Sequence, residues 1–269
     1  ASRGASGQPL ITAASQLLNF FDAGDVPGRT ARAMATSIIA MFKPPNRPKA
    51  DAIISAVKAN PALAKEVDAA SGNTPLHFAC CNCAPDEVVH ALLAAYPKAA
   101  KAADGAGNLP IVGAVASGCG IAAVQALLKA HPEGIRARQG PHTLLHTAAC
   151  NGQTVDVIDL LIATWPEAAA EQDPDGNSPL HFAAACQQTP DVVKSLIAAC
   201  PDAAKWRGQL KRYPLSLCLL TEAPPESVEL IRDAYPDAVR AHEIVADYQN
   251  HGEGASALWS ATAQCKDQD

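Results

Sequence analysis

Three histidines, His77, His146 and His181, and a dense run of thiols, Cys80-Cys81-Asn82-Cys83, are the side chains best suited to bind a metal, move a proton or change redox state. A zinc site needs its ligands to converge at about 2 Å on one ion. Cys-x-x-Cys pairs that do so usually come with a second pair, and this chain has none. The histidines each occupy the same place in a recurring stretch. If those stretches stack, equivalent positions lie roughly 10 Å apart, the distance between packed helices, which is too far to share an ion. Cys81 and Cys150 fall at equivalent positions, with Cys186 one residue along. That register predicts thiols filling a small hole in each layer, with a disulfide or a metal as the alternatives. No Gly-rich phosphate loop follows a strand, and no Ser/His/Asp or Cys/His pair has a distinctive context. The expectation is a chain with no catalytic residue, no metal and no cofactor.

The elements that position these residues are repeats. Gly72-Asn73-Thr74-Pro75-Leu76-His77-Phe78-Ala79 recurs as Gly176-Asn177-Ser178-Pro179-Leu180-His181-Phe182-Ala183. Looser copies surround Pro110, Leu144 and Pro214, so that Pro75, Pro110, Leu144, Pro179 and Pro214 are 35, 34, 35 and 35 residues apart. Thr74, Thr143 and Ser178 are good N-caps, and a Pro at the first helical position loses no hydrogen bond. Downstream, Val88-Val89 with Leu92-Leu93 matches Val124 with Leu127-Leu128, Val157-Ile158 with Leu160-Leu161, Val192-Val193 with Leu196-Ile197, and Val228 with Leu230-Ile231. That spacing draws the apolar stripe of an amphipathic helix. Each such helix must halt at Pro97, Pro132, Pro166, Pro201 or Pro236, because the residue before a proline is pushed out of the α region. The bulky residues there, Tyr96, His131, Trp165 and Tyr235, read as packing wedges. A unit of turn, short helix, loop and longer helix cannot bury its apolar faces alone, so units stack into a solenoid.

At Thr74-Pro75-Leu76-His77 the chain resembles the ankyrin repeat, over roughly residues 50–240. The fold class implied is all-α, an ankyrin-type helix-turn-helix solenoid with about five full repeats plus degenerate capping half-repeats. The Gly-His pair usual between ankyrin helices is replaced by stretches such as Asn82-Cys83-Ala84-Pro85. Three segments after the second helix, at Pro97, Pro166 and Pro201, read Pro-x-Ala-Ala, similar to large algal and protist ankyrin families. The resemblance implies that each histidine bonds neighbouring backbone. It also implies that partners bind the concave side, where the tips are 70–73, 104–108, 137–142, 172–177 and 206–212. The polar candidates there are Asn73, Asn108, Arg138, His142, Gln172, Asp175 and Asn177. The last tip adds a basic patch around an aromatic, Lys205, Trp206, Arg207, Lys211 and Arg212, residue types that often anchor interfaces.

The organisation expected is an N-terminal extension over 1–28, a degenerate capping repeat over 29–66, five repeats over 67–240, and a half-repeat with tail over 241–269. In the extension, Leu10, Ala14, Leu17, Leu18 and Phe21 share one side of a helix, and Leu10, Leu17, Leu18 and Phe21 are candidates for docking. Residues 29–42 carry apolar positions at helical spacing, and Lys49 to Ala64 matches a second helix. Hydrophobic residues make up 48% but aromatics only 4%, so the core must be built of Ala, Leu, Ile and Val. Charged residues are 18%, below the roughly 25% of soluble domains, and so sparse a charged surface suits a chain partly covered by a partner. The net charge of −6 argues against nucleic-acid binding. No apolar run approaches the ~18 residues of a membrane span, which leaves peripheral association open. Nine cysteines within predicted helices suggest reduced thiols in an intracellular or organellar compartment. The small, acid-free start fits the remnant of a transit peptide, as it fits removal of an initiator Met. The leading expectation is a non-catalytic scaffold that docks in or bridges subunits of a larger assembly, possible settings being a photosynthetic or respiratory complex and the plastid stroma. The alternatives are a transient regulatory or chaperone-like adaptor and a cysteine-based redox or metal sensor.

Overall fold

The computed structural model describes residues 37–43 and 49–240. A short helix α1 (Ile38–Phe42) and a longer α2 (Ala50–Ala59) precede five complete units. The units are α3 (Pro75–Cys81) with α4 (Asp86–Ala95), α5 (Pro110–Ala116) with α6 (Ile121–Ala130), α7 (Leu144–Cys150) with α8 (Val155–Thr164), α9 (Pro179–Ala185) with α10 (Pro190–Ala199), and α11 (Pro214–Leu220) with α12 (Pro225–Ala234). First helices pack on first helices and second on second, so the stack has two layers with one continuous core between them. Among the described residues the fold is all-α apart from one small departure. Before α7, β1 (Arg138–Gln139) and β2 (His142–Thr143) pair antiparallel as a two-residue hairpin.

Each unit is bounded by local chemistry. Thr74 and Thr143 sit in extended backbone and accept the N–H of the third helical residue, while Pro75, Pro110, Pro179 and Pro214 open their helices. The second helices end where Tyr96, His131, Trp165, Cys200 and Tyr235 take φ near −145°, the extended geometry that a following proline imposes. The Pro-x-Ala-Ala stretches then wind into a 3₁₀ turn, as over Pro97–Lys101, Pro166–Ala170 and Pro201–Lys205. Its two alanines are buried in every case, because a larger side chain would hold the turn off the helices beneath it. Trp165 is 5% exposed, wedged at the end of α8 with the Arg136 guanidinium 4.5 Å over its ring.

The first, degenerate unit departs from the sequence pattern. Apolar spacing predicts one helix over 29–42, yet Ser37 is extended and caps a helix that starts only at Ile38, its hydroxyl accepting from the Ala40 N–H. Glu66 fixes this cap from outside, accepting from the Ser37 hydroxyl at 2.8 Å and the Ile39 N–H at 3.2 Å. Similarly, the helix expected over 49–64 stops at Ala59, and Pro61–Lys65 forms the 3₁₀ turn. The docking candidates Leu10, Leu17, Leu18 and Phe21, and the half-unit expected near 254–261, lie outside the described residues.

Candidate protein interaction site

The three histidines are built into the stack. His77 is the third residue of α3. Its Nδ1 accepts the Thr74 N–H at 3.1 Å while the Thr74 hydroxyl lies 2.9 Å away. A nitrogen that accepts cannot carry a proton, so the hydrogen is on Nε2, which donates to the Asn108 carbonyl in the next unit's tip at 3.1 Å. His146 repeats this arrangement between Thr143 and the Asn177 carbonyl, and His181 between Ser178 and the Trp206 carbonyl. Each imidazole therefore completes a capping box, a role usually played by Glu or Gln, and ties one unit to the next. Burial disfavours the charged ring, holding His77 below the ordinary histidine value and taking His146 and His181 down to about 4. Phe182 packs its edge against His146 at 5.4 Å and His142 at 5.1 Å, closing that part of the first-helix layer.

The tips are organised by aspartates that spacing alone did not single out. Asp104 Oδ1 accepts the N–H groups of Ala106 and Asn108, and Asp173 Oδ1 those of Asp175 and Asn177. Asp68 does a similar job for Ser71. The signal was present as an Asp four or five residues ahead of Asn73, Asn108 and Asn177. These turns consume several residues proposed as partner contacts. Asn177 is 5% exposed and fully engaged. Its amide donates to Asp173, its Oδ1 accepts the Gln209 N–H at 2.9 Å, and its carbonyl takes the His146 bond. It therefore presents nothing to a partner. Asn73 and Asn108 are half-buried, Asn108 with its amide on Asp104. His142 is half-buried with Nε2 3.5 Å from the Asp173 carboxylate. Arg138 and Asp175 are exposed, Arg138 bridging to Glu171 at 2.9 Å.

The last tip has a different surface. Trp206, expected as its aromatic anchor, is half-buried against the core. The apolar residue that projects instead is Leu210, 77% exposed. Leu210 and Lys211 are both left-handed, with φ of 58° and 59°. Lys211 stands three residues before Pro214, where Gly72, Gly107 and Gly176 stand before their own prolines with φ of 72°, 85° and 82°. Three of the other units thus use glycine for a conformation that this one imposes on side-chain-bearing residues at a cost of about 1 kcal/mol each. The tip is held by the Gly208 N–H on the Arg212 carbonyl, by Gln209 on Asn177, and by Arg207, whose Nε donates to the Tyr213 hydroxyl at 2.9 Å. Lys205, Arg207 and Lys211 are exposed around it, and Arg212 is half-buried.

The thiols divide between core and surface. Cys80, Cys119 and Cys218 are buried. Cys81, at the end of α3, is exposed as a residue although its sulfur lies in the space that Gly113 of the next unit leaves, and Cys83, the left-handed residue just beyond it with φ 44°, is exposed. Among the described residues no group of three or more His, Cys, Asp or Glu side chains is arranged to hold a metal ion. No helix among them is long and apolar enough to cross a membrane.

These features, stacked two-helix units of which three are tied to the next through a buried imidazole, define a helical repeat protein. Comparison with family models finds ankyrin repeats over residues 111–206, matched as three copies, and a further ankyrin repeat over 71–101. The chain is an ankyrin-repeat protein, and such repeats are protein–protein interaction modules. Comparison with curated proteins finds no match.

Proposed function

We propose that this chain is a non-catalytic scaffold that docks in, or bridges subunits of, a larger protein assembly, with the tip over 206–212 as its principal contact. The observation that carries this reading is Leu210, a large apolar side chain 77% exposed at a left-handed position with Lys205, Arg207 and Lys211 around it. An apolar knob inside a polar, charged rim is the anatomy of an interface anchor. Strain retained where three sister tips have glycine argues for a role outside the stack. The rim calls for an acidic partner segment with an apolar pocket. Exposed Arg138 and Asp175 extend the surface along neighbouring tips, and the five units over 67–240 act as one docking body. Leu10, Leu17, Leu18 and Phe21 supply a second attachment, which lets the chain bridge two subunits. The setting that we favour is an organellar complex, photosynthetic or respiratory, on the likeness of the Pro-x-Ala-Ala units to algal and protist ankyrin families.

The test is a photo-crosslinking amino acid at position 210 in the full-length chain, expressed in its native cell. The expected result is crosslinking to one protein, through an acidic stretch, with the adduct recovered from a single organelle. Crosslinks spread over many unrelated proteins would instead support a transient adaptor.

A further inference from the structure

The cysteine register brings two sulfurs together across a unit boundary. Cys150 is the last residue of α7, and Cys186 lies one residue further along its own unit, as the C-cap of α9. That single-residue offset brings the two Sγ atoms to 3.0 Å. A disulfide is about 2.05 Å, so closing the bond requires a side-chain shift of only about 1 Å. Both side chains are half-buried at helix ends, open to small solutes yet supported by the stack.

We propose that Cys150 and Cys186 form a reversible disulfide that staples the third unit to the fourth on exposure to a peroxide. The inference is independent of the docking reading, since it concerns the stack and not its partner. Cys150 is the attacking sulfur. Either sulfur can donate in the hydrogen bond that they share, and that contact holds the Cys150 thiol below the ordinary value, against desolvation, while it pushes the Cys186 thiol up. The Cys150 thiolate attacks one peroxide oxygen, the O–O bond breaks, and Cys150 becomes a sulfenic acid with release of the other oxygen as hydroxide, which takes up a proton. The Cys186 sulfur then displaces the sulfenic hydroxyl, which leaves as water with the Cys186 proton. Two thiols and one hydrogen peroxide become one disulfide and two waters, a two-electron oxidation. A small dithiol reverses it by exchange, becoming a cyclic disulfide itself. Cys83 and Cys119 form a looser version between the first and second units. Their sulfurs are 3.5 Å apart, and each gives its S–H to a carbonyl, of Ser117 and Cys80 respectively. The greater separation of this pair requires a larger side-chain shift than Cys150 and Cys186 need before a bond can close.

The test uses the full-length chain, reduced, treated with limiting hydrogen peroxide, alkylated and digested without reduction. The expected product is a linked peptide pair containing Cys150 and Cys186, an intact mass lower by two hydrogens, and full reversal by dithiothreitol. In Cys186→Ser the linked pair disappears and dimedone captures a sulfenic acid on Cys150. Hydrogen exchange supplies a readout that does not depend on the variant folding. Oxidation of wild-type protein slows exchange in α7 and α9 several-fold and leaves α5 unchanged. Oxygen accumulating on Cys150 in the wild type, or Cys150 bridged to any other thiol, would overturn the proposal.

Discussion

Lowering the pH from 7 to 5 should destabilise the stack by about 3–4 kcal/mol through His146 and His181 alone. Both rings accept a backbone N–H on Nδ1, so protonation breaks the capping box and places a charge in the core. Their folded-state values are near 4, against about 6.5 in the unfolded chain. A depressed value means that the unfolded state takes up protons first as pH falls. Stability is therefore full above about pH 6.5, declines through the interval, and stops declining from this source below about pH 4. Linkage gives a loss of about 2 kcal/mol per histidine at pH 5 and about 3 at pH 4. His77 shifts in the same direction and adds to it. Asp68 and Asp104, both lowered by the tip hydrogen bonds or the Lys43 pair, lose their contribution as pH falls from about 4 towards their lower folded-state values, beneath this window. The assay is urea unfolding by circular dichroism at half-unit pH steps, with His146→Gln and the double variant with His181→Gln. Glutamine preserves an acceptor at the third helical position but carries no titrating group. The single variant should lose about half of the slope and the double variant most of it. A wild-type stability flat between pH 7 and 5, or a slope unchanged in the double variant, would refute the reasoning.

Asn177→Ala should cost about 1–3 kcal/mol, since it leaves the part-buried Gln209 N–H without its acceptor and removes a bond from the Asp173 carboxylate, checked by the same denaturation. Gly208→Ala places a Cβ 2.8 Å from His181 Cδ2 and closer still to Asn177 Oδ1, so thermal unfolding should register a loss of about 1–3 kcal/mol. Leu210→Gly relieves a left-handed side chain and should stabilise the free protein by about 1 kcal/mol while weakening partner capture, a trade visible by pairing calorimetry with binding. The Cys150–Cys186 bridge closes a loop of 36 residues and should stabilise the oxidised protein by up to about 4 kcal/mol in denaturant relative to Cys186→Ser.

The period, the two helices of each unit and the caps at Thr74, Thr143 and Ser178 were legible because they depend on local rules: capping chemistry, apolar spacing and proline. The histidine role was legible through the resemblance to the ankyrin repeat, while the register alone argued only against a shared metal ion. The interaction surface was less so, because exposure is set by contacts between units. Asn177 and Asp175 look alike in sequence, yet one is locked between Asp173 and the following tip while the other faces solvent. Leu210 passed as an ordinary apolar residue beside more conspicuous charges. Its signal was the absence of glycine at the neighbouring Lys211, visible only when the tips are aligned on Pro75, Pro110, Pro179 and Pro214. The thiol pair followed the same logic, since a one-residue offset reads as an imperfection until α7 and α9 are placed side by side.

Size analysis of the native complex tests the central claim most directly. Native extract is fractionated by mass at low and at high salt, for the wild-type chain and for Leu210→Asp. The account predicts that wild type migrates in an assembly several times its own mass at both salt levels, and that Leu210→Asp migrates as free chain. Wild type running as a free monomer in native extract, or Leu210→Asp remaining in an undiminished complex, would contradict it.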